Sequence, residues 1–147
     1  MNKKVEQNQN PGLTFSVAEL LRKSQGATDE YTLNAEVSFD KNEIETKGKL
    51  KGKVKIMNIE KAVNVQVKDV EIKVVFTCSK CLEKFTETIR IPFAERQFDF
   101  AEQEGLKDEF DSFYVNMKSY TLNIEELLRQ EIILHFPLVP VCSTHNV

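Results

Sequence analysis

A chain of 147 residues with 41% hydrophobic content suits a single domain that buries its own core. Twenty Lys and Arg against 23 Asp and Glu leave a formal charge of −3, which excludes a generally basic surface and confines any nucleic-acid contact to a local patch. No apolar run approaches the ~18 residues of a spanning helix, and three cysteines, an odd number, argue for reduced thiols or a metal over a disulfide framework.

The start, Met1-Asn2-Lys3-Lys4-Val5-Glu6-Gln7, is polar with no apolar segment behind it, so the protein is expected to be soluble and cytoplasmic, without a membrane partner. Residues 1–12 read as a flexible arm ended by Pro11-Gly12, and residues 13–147 as one domain. Ser16 and Glu19 have the spacing of a capping box, after which Val17, Leu20 and Leu21 share one face of a helix of about two turns that Gly26 ends. From Tyr31 the period becomes two. Tyr31, Leu33, Ala35, Val37 and Phe39 face a core, and Asp40-Lys41-Asn42 makes the turn.

The next run places Lys47, Lys49, Lys51, Lys53 and Lys55 at every second position, with Gly48, Leu50, Gly52, Val54 and Ile56 between them. As a strand it has one face made wholly of lysine. Same-face residues recur every ~6.6 Å, close to the phosphate interval of a single-stranded nucleic acid, so the row could track such a backbone by charge. The plainer alternative is a solvent face that keeps a strand from pairing edge to edge. No aromatic is interleaved with the lysines, which points to phosphate contact rather than base stacking.

Residues 62–76 continue as strand, with Lys68-Asp69 as a bend or bulge, and lead into Cys78-Ser79-Lys80-Cys81. Phe85-Thr86-Glu87-Thr88-Ile89-Arg90-Ile91 alternates cleanly beyond, so both thiols sit at a hairpin tip. A further strand is expected over residues 95–100, after Pro92-Phe93. Five acidic residues around Gly105 then mark a mobile acidic loop at 101–111, and residues 112–115 return briefly to the sheet. Asn123 caps a second helix with Glu126 three places on; Ile124, Leu127, Leu128, Ile132 and Leu134 give it a wide apolar face until Pro137. The rigid tail Phe136-Pro137-Leu138-Val139-Pro140-Val141 then delivers Cys142 to a fixed place.

Cys142-Ser143-Thr144-His145 is a C-x2-H pair. With Cys78 and Cys81 it makes a Cys3His set, which suits a closed, structural zinc site with no vacancy for catalysis. The alternative is a pair of thiols on a tight turn and a frayed His145. His135 reads as a helix-end or core histidine. A redox couple at Cys78 and Cys81 would require a strand followed by a helix, which is not the pattern here, and no matched pair of carboxylates is present, so no catalytic residue is assigned.

The turn Cys78-Ser79-Lys80-Cys81-Leu82-Glu83, followed at a distance by the acidic helix from Leu122 and the tail Pro137-Leu138-Val139-Pro140-Val141-Cys142, resembles the bacterial YceD family, named for large ribosomal RNA subunit accumulation. The resemblance implies a non-enzymatic factor needed for large-subunit (23S) ribosomal RNA to be processed or to accumulate. Its implied partners are ribosomal RNA or a precursor large subunit, not DNA. Relatives continue past this tail into a further cysteine-rich segment, so the sequence is expected either to use His145 for a later cysteine or to be a shortened form. The expected fold is α+β: an antiparallel, partly closed β-sheet of about six strands, a short N-terminal helix and a longer C-terminal helix. Two modes of action are open, RNA binding through Lys47, Lys49, Lys51, Lys53 and Lys55, or an adaptor that docks a ribosomal protein by the acidic loop or the C-terminal tail.

Overall fold

Period-two patterning dominates this chain, and in the computed structural model, which describes residues 11–100 and 113–142, it produces long strands. After a 3-10 turn at Pro11–Leu13 come β1 (Thr14–Ser16), α1 (Ala18–Leu21), β2 (Thr28–Glu36), β3 (Thr46–Ile59), β4 (Ala62–Thr77) and β5 (Lys84–Phe100). The last elements are β6 (Tyr114–Val115), β7 (Thr121–Asn123) and α2 (Glu125–Leu134). Strands β2 to β6 form one sheet in chain order, and β1 pairs with β7 in a second, small sheet.

One face of the large sheet is the core. Leu33, Leu50, Val54, Ile56, Val63, Val65, Val67, Ile72, Ile89, Ile91 and Phe98 are all buried on it, as alternation requires of β-branched and aromatic side chains. The α2 helix adds Leu127, Leu128 and Ile132 to the same cluster. It is pinned by Arg96 of β5, which donates to the Glu131 carboxylate at 2.7 Å, and by Arg129, which bridges Glu126 at 2.8 Å and Glu43 at 3.1 Å. The Arg129 guanidinium holds the Glu126 carboxyl below its usual range. Near the other end Asn58, buried in β3, donates to the Leu20 and Lys23 carbonyls and so ties down α1.

Several expectations are corrected. The sheet is open, with β2 and β6 at its edges, and it is mixed, because β6 runs parallel to β5 through Asp99–Tyr114 and Phe100–Val115. A parallel return needs a crossover of about a dozen residues instead of a hairpin, and the chain between Phe100 and Tyr114 has that length. Among the described residues, seven strands in two sheets replace about six in one. The extra pair, β1 and β7, is three residues each, too short for a periodic signal. The first helix is a single turn and its capping box does not form: Ser16 belongs to β1, opposite Thr121, and Glu19 turns to Arg22.

The bulge at Lys68-Asp69 is present. Asp69 is left-handed (φ +52), and β3 and β4 change register between Lys51–Glu71 and Lys53–Lys68. Gly52 lies against it, where an added Cβ would meet the Val70 side chain at 2.8 Å and its Cα at 3.0 Å. The same irregularity admits Pro92 to the interior of β5, which is one strand of 17 residues instead of two shorter ones. The acidic loop at 101–111 lies outside the described residues.

Candidate metal centre and lysine face

The β4–β5 hairpin closes through its own backbone. The Cys78 N–H donates to the Glu83 carbonyl at 2.8 Å, and the Leu82 N–H donates to the Cys78 carbonyl at 2.9 Å, with Leu82 in the left-handed region at φ +64. This curl aims the Lys80 and Cys81 N–H groups at the Cys78 sulfur, at 3.4 and 3.5 Å. The tail then docks. Phe136 packs edge-on against Phe76 with ring centroids 5.0 Å apart, and the Pro140 carbonyl accepts from the Ser79 N–H at 2.9 Å.

Docking brings Cys142 to the turn. Its N–H donates to the Cys78 sulfur at 3.4 Å, and its sulfur lies 3.8 Å from that of Cys81. All three sulfurs fall within 4.8 Å of one another. For Zn–S bonds of ~2.3 Å, the edge of a tetrahedron is ~3.8 Å; the Cys81–Cys142 separation matches it, and the soft donors suit a thiophilic ion. The Cys78 thiol is pushed down to about 5, first by the Cys81 N–H and then, against the opposing effect of burial, by the Cys142 and Lys80 N–H groups. Such donors to a ligating sulfur are the usual outer layer of a metal–thiolate site. At Cys81 the Glu83 N–H pulls down, but desolvation and the neighbouring sulfurs of Cys78 and Cys142 raise the thiol on balance.

His145 lies outside the described residues. His135 is exposed at the end of α2, its Nδ1 2.8 Å from the Glu131 carbonyl, and is not part of the sulfur cluster. On the turn and the tail that form the cluster, three large apolar side chains face solvent: Leu82, Leu138 and Val139 are 74%, 100% and 62% exposed.

The lysine row lies on the opposite, outer face of the sheet. Lys47, Lys49, Lys51 and Lys53 are exposed and Lys55 is half-buried; among the described residues none of the five joins an ion pair. Register adds Lys73 opposite Lys47 and Lys68 opposite Lys53. The acidic neighbours are Glu36 and Glu30, opposite Lys49 and Lys55, and Glu71, opposite Lys51 and held by Arg90 at 3.1 Å. Lysine therefore outnumbers carboxylate on these three strands. At the bulge this face sinks into a depression of about 480 Å³ bordered by Glu30, Thr32, Lys53, Lys55, Lys68 and Asp69.

One outward residue escapes a reading by period. Phe93, on β5 directly opposite Lys68, is 49% exposed on the lysine face. The signal for it was available in the pairing of a bulge on β4 with a proline in β5, because together these invert the alternation.

A model of the family described as large ribosomal RNA subunit accumulation protein YceD matches residues 68–146, a span that takes in the cysteine turn, β5, α2 and the tail. No curated protein and no solved structure matches the chain.

Proposed function

The chain belongs to the YceD family, and from that premise we propose that it is a non-enzymatic factor in the accumulation of large-subunit ribosomal RNA, acting by binding ribosomal RNA or a precursor particle. The observation that carries the proposal is the outward row Lys47, Lys49, Lys51, Lys53 and Lys55, extended by Lys68 and Lys73 and left without ion pairs among the described residues. Charges presented to solvent in this way are available to phosphates, and their engagement releases counterions. Replacing Lys49, Lys51 and Lys53 together by Ala is expected to weaken RNA binding and flatten its dependence on salt; unchanged affinity and slope remove the row from the function.

Zinc is the proposed ion for Cys78, Cys81 and Cys142, with His145 as the proposed fourth ligand. Its role would be structural, fixing the hairpin tip to the tail. Native mass spectrometry with and without chelator reads the ion directly.

A second reading is favoured by the exposed Leu82, Leu138 and Val139 beside the cysteine cluster. In this reading the tail docks a ribosomal protein and any RNA contact is indirect. Partners retained after nuclease treatment, and lost from a variant with polar residues at Leu138 and Val139, would support it.

A further inference from the structure

We infer that Phe93 is a stacking platform for an unpaired base, so that the lysine face takes single-stranded RNA in preference to duplex. The inference rests on the proposed RNA-binding role of that face and names the form of RNA it accepts.

The sequence places no aromatic among the lysines; the fold supplies one from another strand. Ile91 points into the core, and strict alternation would send Phe93 inward as well. Instead Ala94 is the buried residue and Phe93 turns outward, because β4 and β5 both change phase between the pairs Val70–Ile91 and Lys68–Phe93. Asp69 in a left-handed conformation and Pro92 inside a strand are the residues at that step. The same phase change turns Lys68 outward with Phe93. The ring is thus set into a cross-strand line that runs Thr32, Lys53, Lys68, Phe93.

A single exposed aromatic is ordinary on a protein surface. This one differs in its surroundings. Two strand spacings, about 10 Å, separate Phe93 from Lys53. A backbone tracked along β3 could therefore extend a base across β4 toward the ring. Stacking on an aromatic tolerates any base, since each has a π-face, whereas a duplex keeps its bases paired and stacked on one another. Phosphate contact alone would serve both forms; the ring serves only the open one.

The test compares an unstructured oligoribonucleotide with a duplex of the same length by fluorescence anisotropy. Phe93→Ala, at an exposed position, is expected to weaken single-strand binding about 5- to 150-fold, leave duplex binding unchanged, and preserve the salt slope. The chain has no tryptophan, so Phe93→Trp is a lone reporter: it is expected to restore affinity, with fluorescence quenched by the single strand and not by the duplex. If Phe93→Ala binds the single strand as wild type does while the lysine triple variant loses affinity, the stacking role is overturned and the lysine face survives. Equal or tighter wild-type binding to duplex overturns it too. If wild type binds neither RNA, the RNA-binding proposal fails first, and this inference with it.

Discussion

The two faces of the five-stranded sheet are made by the same residues in alternation, yet they answer to different demands. The inner face is closed by α2 and saturated with Val, Ile and Leu. Among the described residues, the outer face carries charge rows in place of a covering layer, and its alternation changes phase at a bulge. Identity is therefore constrained on one side by volume and on the other by what must remain exposed. Substitutions should separate accordingly, with stability lost from within and binding lost from without.

The largest effect should come from the inner face. Leu127→Ala is expected to cost about 2–5 kcal/mol in urea unfolding, with little change in RNA affinity of the protein that remains folded. Next comes the place where strands and tail meet. If the proposed zinc joins Cys78, Cys81 and Cys142, its removal by chelation should cost about 2–4 kcal/mol, the scale of a cross-link over a long loop, and leave the sheet's circular dichroism largely intact. An unchanged melting temperature would detach the cysteines from any metal. Gly52→Ala, which presses a methyl group on Val70 at the boundary between the faces, should cost about 1–3 kcal/mol and disturb the bulge that orients Lys68 and Phe93.

The metal-free protein adds a pH test. The Cys78 thiol sits at about 5 in the fold, against ~8.5 when unfolded. Because the folded value is the lower one, its contribution to stability is complete above the unfolded value and fades as pH falls toward about 5. Ultraviolet thiolate absorbance should follow the same course, and Cys78→Ser should remove the most acidic step. The smallest effect on stability should come from the outer face: alanine at Lys49, Lys51 and Lys53 is expected to shift unfolding by no more than about 0.5 kcal/mol. A larger loss would mean that the row is part of the fold, and the contrast between faces would collapse.

What could be read from the residues follows the same division. Period two gave β2, β3 and the hairpin around the cysteines, because alternation records directly which side is buried. The apolar face of α2 was legible for the same reason. Asn123 does accept from the Glu125 N–H at 2.7 Å, as a capping side chain should, but it belongs to β7, opposite Thr14, and the residue at the helix's N-cap is Ile124. Local period carries no record of partners. Strands β1 and β7 exist because Thr14, Phe15 and Ser16 meet Asn123, Leu122 and Thr121 from the far end of the chain. The parallel seat of β6 is likewise decided by β5 and not by Tyr114 or Val115. At the cysteines both kinds of information were needed: C-x2-C marked the turn, while the meeting with Cys142 depends on Phe136 finding Phe76. Phe93 was hidden for the converse reason, since its outward turn breaks the alternation that made the rest readable.

The hairpins of the sheet also bear on the order in which the chain can assemble. Strands β2 to β5 join neighbours in sequence, so each pairing closes a short loop and can form quickly once both strands exist. The sulfur cluster links positions 64 residues apart, Cys78 and Cys142. During synthesis the meander is complete long before Cys142 leaves the ribosome. The cysteine turn is then a half-made clasp until the tail has been made, and its closure depends on the chain after α2 bringing Phe136 to Phe76 and Cys142 to Cys78.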